Sequence, residues 1–492
     1  MLPPSPNPTS EARHIHFIGM SGRATAGLAV ALKQQGWRVT GSDVRAYGVG
    51  KQLLDDAGLR CEDGFDPAHL PADAELVLVG SAMTADNPEL TAAREAGLPC
   101  LTFPELLARI TPAAVFNVQV AGTNGKTSTT AMLLQLLHAA DRRPGFLIGG
   151  VHPALGQTLR LPAVDGADPL AVWEADESRC ARWLNRPKFS LLPADAVVLT
   201  SLAPDHPETF DSEEAYFEAF RQRLRDLPAN GFVVAHRHDL DRLQPGVIKA
   251  RVVAVESAGR TPDGAGGRSA GDPTTHRITP LATAGRFLLD GQPWQLGVPG
   301  PHQSANAALA LLAAEALGVD LQQPSIAAAL ADYQGVRGRS DVLREAPIPV
   351  INDEAYHPDA LAATFEAARL RFPDRRWHLV FRPRYLWQAG GYIESGLPDV
   401  LARADVAHLF FEEVPVDQPL PGPGEWRACA LRDRLIAKGV ETLYHETLKS
   451  FKTGLSASVR PGDAVLFCAS ASNFQVQQHL LDTIDQLAGI GT

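Results

Sequence analysis

The string AGTNGKTST, Ala121 to Thr129, has the residue types and spacing to hold a phosphate. Where a strand ends in a glycine turn and a helix begins, backbone N–H groups close on an anion, a lysine offsets the β/γ charge and a hydroxyl ligates a hard cation. Gly122 and Gly125 allow the close approach; Thr123, Asn124 and Ser128 complete the loop; Lys126 and Thr127 fit the charge and cation roles. The commonest form of such a loop, G-x-x-x-x-G-K-[ST], fails here at its first glycine, where Val120 stands. Further along lie an acidic string, VWEADES (Val172 to Ser178), and a histidine, His206 in TSLAPDH. Carboxylate oxygens suit Mg2+, which keeps several waters and bridges phosphates. Without the loop, the acids would read as a solvated turn and the histidine as a core residue.

The elements that must position these groups alternate along the chain. Strand-like His14 to Gly19, helical Thr25 to Gln35, strand-like Arg38 to Asp43, a helix near Lys51 to Ala57 and strand-like Glu75 to Ala82 predict a parallel sheet with helical crossovers. A fresh start follows Pro112: Val115 to Ala121 is a buried-strand pattern that leads through the glycine turn into a helix over Ser128 to Ala140. Helices are expected at Gln303 to Leu317 and Pro324 to Leu330, then a turn-rich connector at Tyr333 to Arg339. The stretch Ser257 to Pro273 is rich in Gly, Asp, Arg and Ala without periodicity and reads as a surface insertion. The expected domains are 1–112, 113–334 and 335–492.

Composition narrows the function classes. A chain of 492 residues exceeds one core, and no apolar run approaches the length that spans a bilayer. The opening MLPPSPNPTSEAR lacks a charged start followed by an apolar stretch, so no export signal is expected and the cytoplasm is the expected location. A formal charge of -11 disfavours nucleic acid as a partner. The five cysteines, at 61, 100, 180, 429 and 468, show no C-x-x-C pairing and are expected to be buried thiols.

The G-T-[NH]-G-K-[ST] form of the loop resembles the Mur ligases and the folylpolyglutamate synthetases related to them. E-A-D-E-S resembles the branch that acts on UDP-N-acetylmuramate itself, and the resemblance makes Glu174 a magnesium ligand beside Thr127, with Asp176 and Glu177 less defined. TSLAPDH is similar to the family's T-N-x-x-x-D-H, which makes His206 a ligand of a second metal and puts Ser201 in place of asparagine. Members that extend the peptide stem often carry a carbamylated lysine in a Y-x-x-A-K setting; YFEAF has Phe220 there, which points to the muramate-activating branch, similar to the pattern without lysine. GPHQSAN resembles G-x-H-N-x-x-N, which implies that His302 and Asn306 hold the adenine, with Gln303 substituted. GVRGRSD resembles a linker whose arginine, here Arg339, reaches the γ-phosphate. NDEAYHPDAL resembles D-D-[YF]-[AG]-H-H-P, which implies that Asp353 meets ATP ribose or the linker, keeps His357 in frame and leaves Tyr356 in place of a histidine. FRPRYLWQAGG resembles a region that meets the incoming amine, giving Arg384 that role beside His357.

In the amino-terminal stretch, Gly19, Gly22 and Gly27 do not satisfy G-x-G-x-x-G, so the turn is not read as a dinucleotide site. By resemblance it receives a UDP diphosphate, with Gly19, Ser21, Gly22, Asp43 and Ser81 as contacts. The implied architecture is α/β in three domains: a Rossmann-like amino-terminal domain, a central parallel sheet of P-loop ATPase type and a Rossmann-like carboxy-terminal domain that binds the amine. The implied chemistry is ATP- and Mg2+-dependent amide formation through an acyl phosphate, with Lys126, Glu174, His206 and Arg339 as the catalytic set. Closure of the last domain is expected to complete the site, and Lys126→Ala to abolish ligation with the fold intact. GFLIGGV, RPKFSLLPADAVVLTSL and PGDAVLFCASASNF look more like members that attach a recycled murein tripeptide than those that add L-alanine. The substitutions at Ser201, Gln303 and Tyr356 also admit a nucleotide-binding paralogue without ligase activity. A monomer or weak homodimer is expected.

Overall fold

The computed structural model describes residues 13–46, 48–163, 169–257, 274–281, 285–382, 392–394, 396–412, 414, 419–420, 426–469 and 474–489. They fall into two compact units, one of residues up to 279 with 289–292 and 306–330, the other of 280–288, 293–305 and 331 onward. The expected insertion therefore lies outside the described residues, save Ser257.

Short apolar runs become strands buried on both faces, as parallel sheets covered by helices require. In the first unit LVLV at Leu76–Val79 and AVVL at Ala196–Leu199 are buried throughout. One sheet runs in the order Glu62–Asp63, Arg38–Asp43, His14–Ile18, Leu76–Val79, Cys100–Thr102, all parallel. The chain builds outward from His14–Ile18 on one side and then crosses to the other. At such a switch point two successive connections diverge and leave a crevice beyond the strand ends.

The second sheet of this unit repeats that logic. Phe116–Ala121 lies between Ala196–Leu199 and Leu170–Ala175, parallel to both. Phe232–His236, Arg251–Ser257 and Thr274–Pro280 extend one side; Gly145–Leu147 and the antiparallel Leu159–Arg160 extend the other. The loops after Ala121, Ala175 and Leu199 consequently leave neighbouring strands at the same edge. The helix Lys126–Ala139 begins directly at the loop, two residues earlier than its pattern predicts, and Leu133, Leu134, Leu136 and Leu137 are fully buried. Each such leucine contributes roughly 1.5–3 kcal/mol. A helix apolar on all sides is held by its surroundings and makes a rigid floor for the loop.

The second unit carries its own sheet, in the order Asp341–Arg344, Val350–Asp353, Ala464–Ala469, Trp377–Arg382, Val406–Phe410, Glu441–His445. It is parallel except for the first pair. Among the described residues no helix is long and apolar enough to cross a membrane. The cysteines are free thiols, but only Cys180 and Cys468 are buried; Cys61, Cys100 and Cys429 are partly exposed, against expectation. Each of those three stands at a strand margin or a helix start, where a sheet offers cover on one side only.

Candidate active site

The loop 122–127, the candidate phosphate site, is shaped by what its glycines touch. Gly122 has φ +124, and a Cβ there would lie 2.5 Å from the Ser201 carbonyl oxygen. Gly125, at φ +85, faces Asn306, whose Oδ1 would stand 2.4 Å from an added Cβ. Both positions exclude a side chain on steric as well as conformational grounds. Thr123 is pinned: its hydroxyl donates to the Ala203 carbonyl at 2.7 Å and meets the Tyr216 hydroxyl at 2.6 Å. Ser201, where the motif has asparagine, braces the loop, its hydroxyl accepting from Asn124 N–H at 2.9 Å and its carbonyl from Thr123 N–H at 2.9 Å. Gly125 caps the helix without any side-chain acceptor, so N–H groups of the first turn stay available to an anion.

Register brings the acids in. Glu174 pairs with Val120 across the sheet, which sets its carboxylate over the helix start. There the Thr127 hydroxyl donates to Glu174 Oε1 at 2.7 Å and Gly149 N–H to Oε2 at 2.6 Å. Lys126 Nζ donates to the Gly122 carbonyl and to Glu177 Oε2, both at 2.6 Å. Burial opposes the Lys126 charge, but Glu177, Asp176 and Glu174 reverse that and raise its pKa. Burial likewise opposes ionisation of Asp176, yet Lys188 and Lys126 hold it well below the usual carboxylate range.

His206 completes a second cluster. One ligand atom each from Asp176, Glu177 and His206 lie within 4.8 Å of one another. The His206 backbone is left-handed at φ +60, and its N–H is held by Asp205 Oδ1 at 2.8 Å. Strain of this kind persists where surroundings fix it, and it aims the ring at the acids. Burial would depress the imidazole, but Glu208 at 2.7 Å, then Asp176, Glu177 and Asp205, raise it to about 9. Glu177 Oε1 is buried with no hydrogen-bond partner among the described residues. A hard cation fits this donor set, since it would satisfy that oxygen and displace the proton from His206. The resemblance gave His206 a second metal without naming its companions and left Asp176 and Glu177 less defined; the structure sets those two acids beside His206. Phe220 stacks on Phe189 at 4.7 Å and against Tyr216 at 5.1 Å, which fills the lysine position with aromatic core.

At the other sheet of this unit, Asp43 Oδ2 accepts from Ser21 N–H at 2.9 Å and from its hydroxyl at 2.6 Å. Gly19, at φ +85, has Gly80 beside it, so Ser81 follows directly on the same crevice. Asn306 thus lies at the phosphate loop, whereas His302 and Gln303 are described with the second unit. His302 is driven down to about 4 by burial, and His302 Nδ1 and Gln303 Oε1 are buried without partners among the described residues. Within that unit, Asp353 Oδ2 accepts from Ser340 N–H at 2.7 Å and Oδ1 from Ala355 N–H at 2.7 Å, clamping the connector. Arg339 is 3.4 Å from Glu354. His357 caps the helix Pro358–Arg371 and meets Tyr392 edge-on at 4.9 Å; Tyr356 joins the same aromatic group, 6.4 Å from Tyr392. Arg384 lies outside the described residues.

Two family models match the chain: the catalytic domain of the Mur ligase family over residues 14–114 and the Mur ligase middle domain over residues 120–314. A UDP-N-acetylmuramate–L-alanine ligase of Halorhodospira halophila is 33% identical over 469 residues, 94% of this chain and 91% of that one. The UDP-N-acetylmuramate–L-alanyl-gamma-D-glutamyl-meso-2,6-diaminoheptandioate ligase of Escherichia coli is 29% identical over 488 residues, 96% of this chain and 99% of that one. In fold, the chain is similar to the UDP-N-acetylmuramate-alanine ligase of Thermotoga maritima, with TM-score 0.74 at 22% identity over 96% of this chain and 99% of that one.

Proposed function

This chain belongs to the Mur ligase family, and from that premise we propose that it joins L-alanine to the carboxylate of UDP-N-acetylmuramate, with cleavage of ATP to ADP and phosphate. The observation that carries the ligase reading is the meeting, at one sheet edge, of the Lys126 loop, the Thr127–Glu174 pair and the Asp176–Glu177–His206 cluster. A carboxylate is a poor acyl donor because attack would expel oxide. Phosphorylation of its oxygen turns the leaving group into phosphate, which the amine then displaces. ATP supplies the phosphoryl group and Mg2+ the charge that lets two anions approach.

The chain's own residues do the rest. Lys126 and the uncapped N–H groups after Gly125 would hold the terminal phosphates; Thr127 with Glu174, and His206 with Asp176 and Glu177, would hold the metals. Gly19, Ser21, Gly22, Asp43 and Ser81 are the proposed diphosphate contacts, supported by their position at a switch point. His302 and Asn306 are proposed for the adenine, the orphaned His302 Nδ1 being an acceptor an exocyclic amine would satisfy. Arg339, Asp353, His357 and Arg384 keep the roles their motifs imply. The reaction is proposed for the cytoplasm, where ATP and nucleotide sugars are supplied.

L-alanine is preferred as the amine because relatives above 30% identity carry that activity in their names. The tripeptide reading, toward which the sequence motifs lean, keeps the support of the E. coli relative that matches nearly end to end. Phosphate release from ATP with UDP-N-acetylmuramate decides between them: stimulation by L-alanine supports the first reading, and stimulation by the tripeptide alone the second. ATP binding with no turnover under either amine would overturn both in favour of a non-catalytic paralogue.

A further inference from the structure

We propose that Lys188 binds the carboxylate of the sugar substrate, and that the hairpin before it fixes the distance from the nucleotide-sugar turn to that point. This rests on the UDP-N-acetylmuramate reading above and adds a residue to it.

Lys188 directly follows the antiparallel hairpin of Arg179–Ala181 and Leu184–Pro187. Its ammonium donates to Asp176 Oδ2 at 2.9 Å and to Ser178 Oγ at 2.6 Å. An ammonium has three N–H donors, and the third has no partner among the described residues. The side chain keeps 24% of its surface open, enough for a ligand to reach it. Asp176 Oδ1 is in turn 4.0 Å from Lys126 Nζ, so this carboxylate separates two cations. One cation belongs to the phosphate loop. The other has no place in phosphate binding, yet it stands one carboxylate away, where an acid awaiting phosphorylation must lie.

The other end of the hairpin supplies an independent observation. Trp183, at its tip, packs against the apolar cluster of Ile18, Val77, Val79, Met83 and Leu90, with the Arg94 guanidinium 5.7 Å over its ring. Met83 Cε lies 3.2 Å from where a Cβ on Gly19 would be, so this cluster underlies the proposed diphosphate turn. One short, hydrogen-bonded ribbon therefore packs on the cluster beneath the turn that would take the diphosphate and delivers a lysine to the acid cluster. A substrate with a diphosphate at one end and a carboxylate at the other would meet both ends of this ribbon. A ribbon tied at both ends holds its lysine without the entropy of a free loop.

The test uses the whole chain without ATP or metal. Binding of UDP-N-acetylmuramate and of UDP-N-acetylglucosamine, which lacks the lactyl carboxylate, is measured by calorimetry for the native protein, Lys188→Gln and Lys188→Arg, with thermal melts as a check on folding. A charge-assisted hydrogen bond predicts a native preference for the acid of about tenfold or more. Lys188→Gln should erase that preference while leaving UDP-N-acetylglucosamine affinity unchanged, and Lys188→Arg should keep most of it. A full preference retained by Lys188→Gln overturns the proposal, as does a parallel loss for both sugars, which would make Lys188 a prop for Asp176. If the native protein binds neither nucleotide sugar, the functional reading itself fails, a result distinct from the other two.

Discussion

Lys126 and Glu177 meet at 2.6 Å, an ammonium against a carboxylate whose side chain is only 1% exposed. The phosphate-loop lysine therefore has a structural partner as well as a proposed catalytic duty. Removing it strands a buried charge.

Lys126→Ala is accordingly expected to abolish phosphate release and also to destabilise the protein by about 3–5 kcal/mol, the cost of breaking a buried pair from one side. The sequence reading expected an intact fold. Pairing Lys126→Met with Glu177→Gln should recover most of the stability and none of the activity. Urea unfolding and phosphate release on the single and double variants check this; full stability of Lys126→Ala would contradict the buried pair.

His206 gives a pH dependence whose sign follows from its raised pKa. Its folded value of about 9 lies above the ordinary 6.5, so protonation favours the fold. That stability is fully present below pH 6.5 and is lost as pH rises through about 9. In the presence of a chelator the loss should be on the order of 3 kcal/mol by a shift of this size. His206→Asn keeps a residue that tolerates the left-handed backbone, and it should flatten the profile over that window. An unchanged slope in the variant would show that other groups set it.

Gly125→Ala should fail for two separable reasons. The left-handed backbone costs a side chain roughly 1–2 kcal/mol, and the new methyl would press on Asn306 Oδ1. Gly125→Ala with Asn306→Ala relieves the clash, so its melting temperature should recover in part while ATP affinity, read by calorimetry, stays at least tenfold weaker, from the blocked anion approach together with the lost Asn306 contact. Native ATP affinity in either variant would remove Gly125 from the phosphate site.

Phe220→Lys restores the lysine found in peptide-extending relatives, yet it should not restore their chemistry. The ring is buried between Phe189 and Tyr216, and an unpaired charge there is expected to cost at least about 3 kcal/mol. The melting temperature should drop sharply in the absence of ligand. A variant as stable as the native protein would mean that this pocket admits water.

Much of the proposed site was legible because a strand that turns through glycines into a helix is a local pattern. Gly122, Gly125, Lys126 and Thr127 fall within six residues, and a strand that enters a helix through them leaves little freedom. Glu174 and His206 were reachable only through motif order. Asp176 and Glu177 were visible as acids but not as the partners of His206. Lys188 stood inside RPKFSLLPADAVVLTSL, a string read only for its resemblance and given no role residue by residue, and Trp183 carried no signal beyond being aromatic. Ser201 shows the converse: its substitution looked like a lost contact, whereas its hydroxyl and carbonyl hold two loop N–H groups.

By itself, then, the chain's order of residues determined the alternation of strands and helices, the glycine turn that opens the Lys126 helix, and the family. Those follow from periodicity and from donors close together in sequence. Only the tertiary structure decided which acids serve which cation, because that depends on strands separated by some fifty to eighty residues lying side by side, with Phe116–Ala121 between Leu170–Ala175 and Ala196–Leu199. Parallel register, fixed by buried side chains on both faces, converts distant positions into neighbours a few ångströms apart.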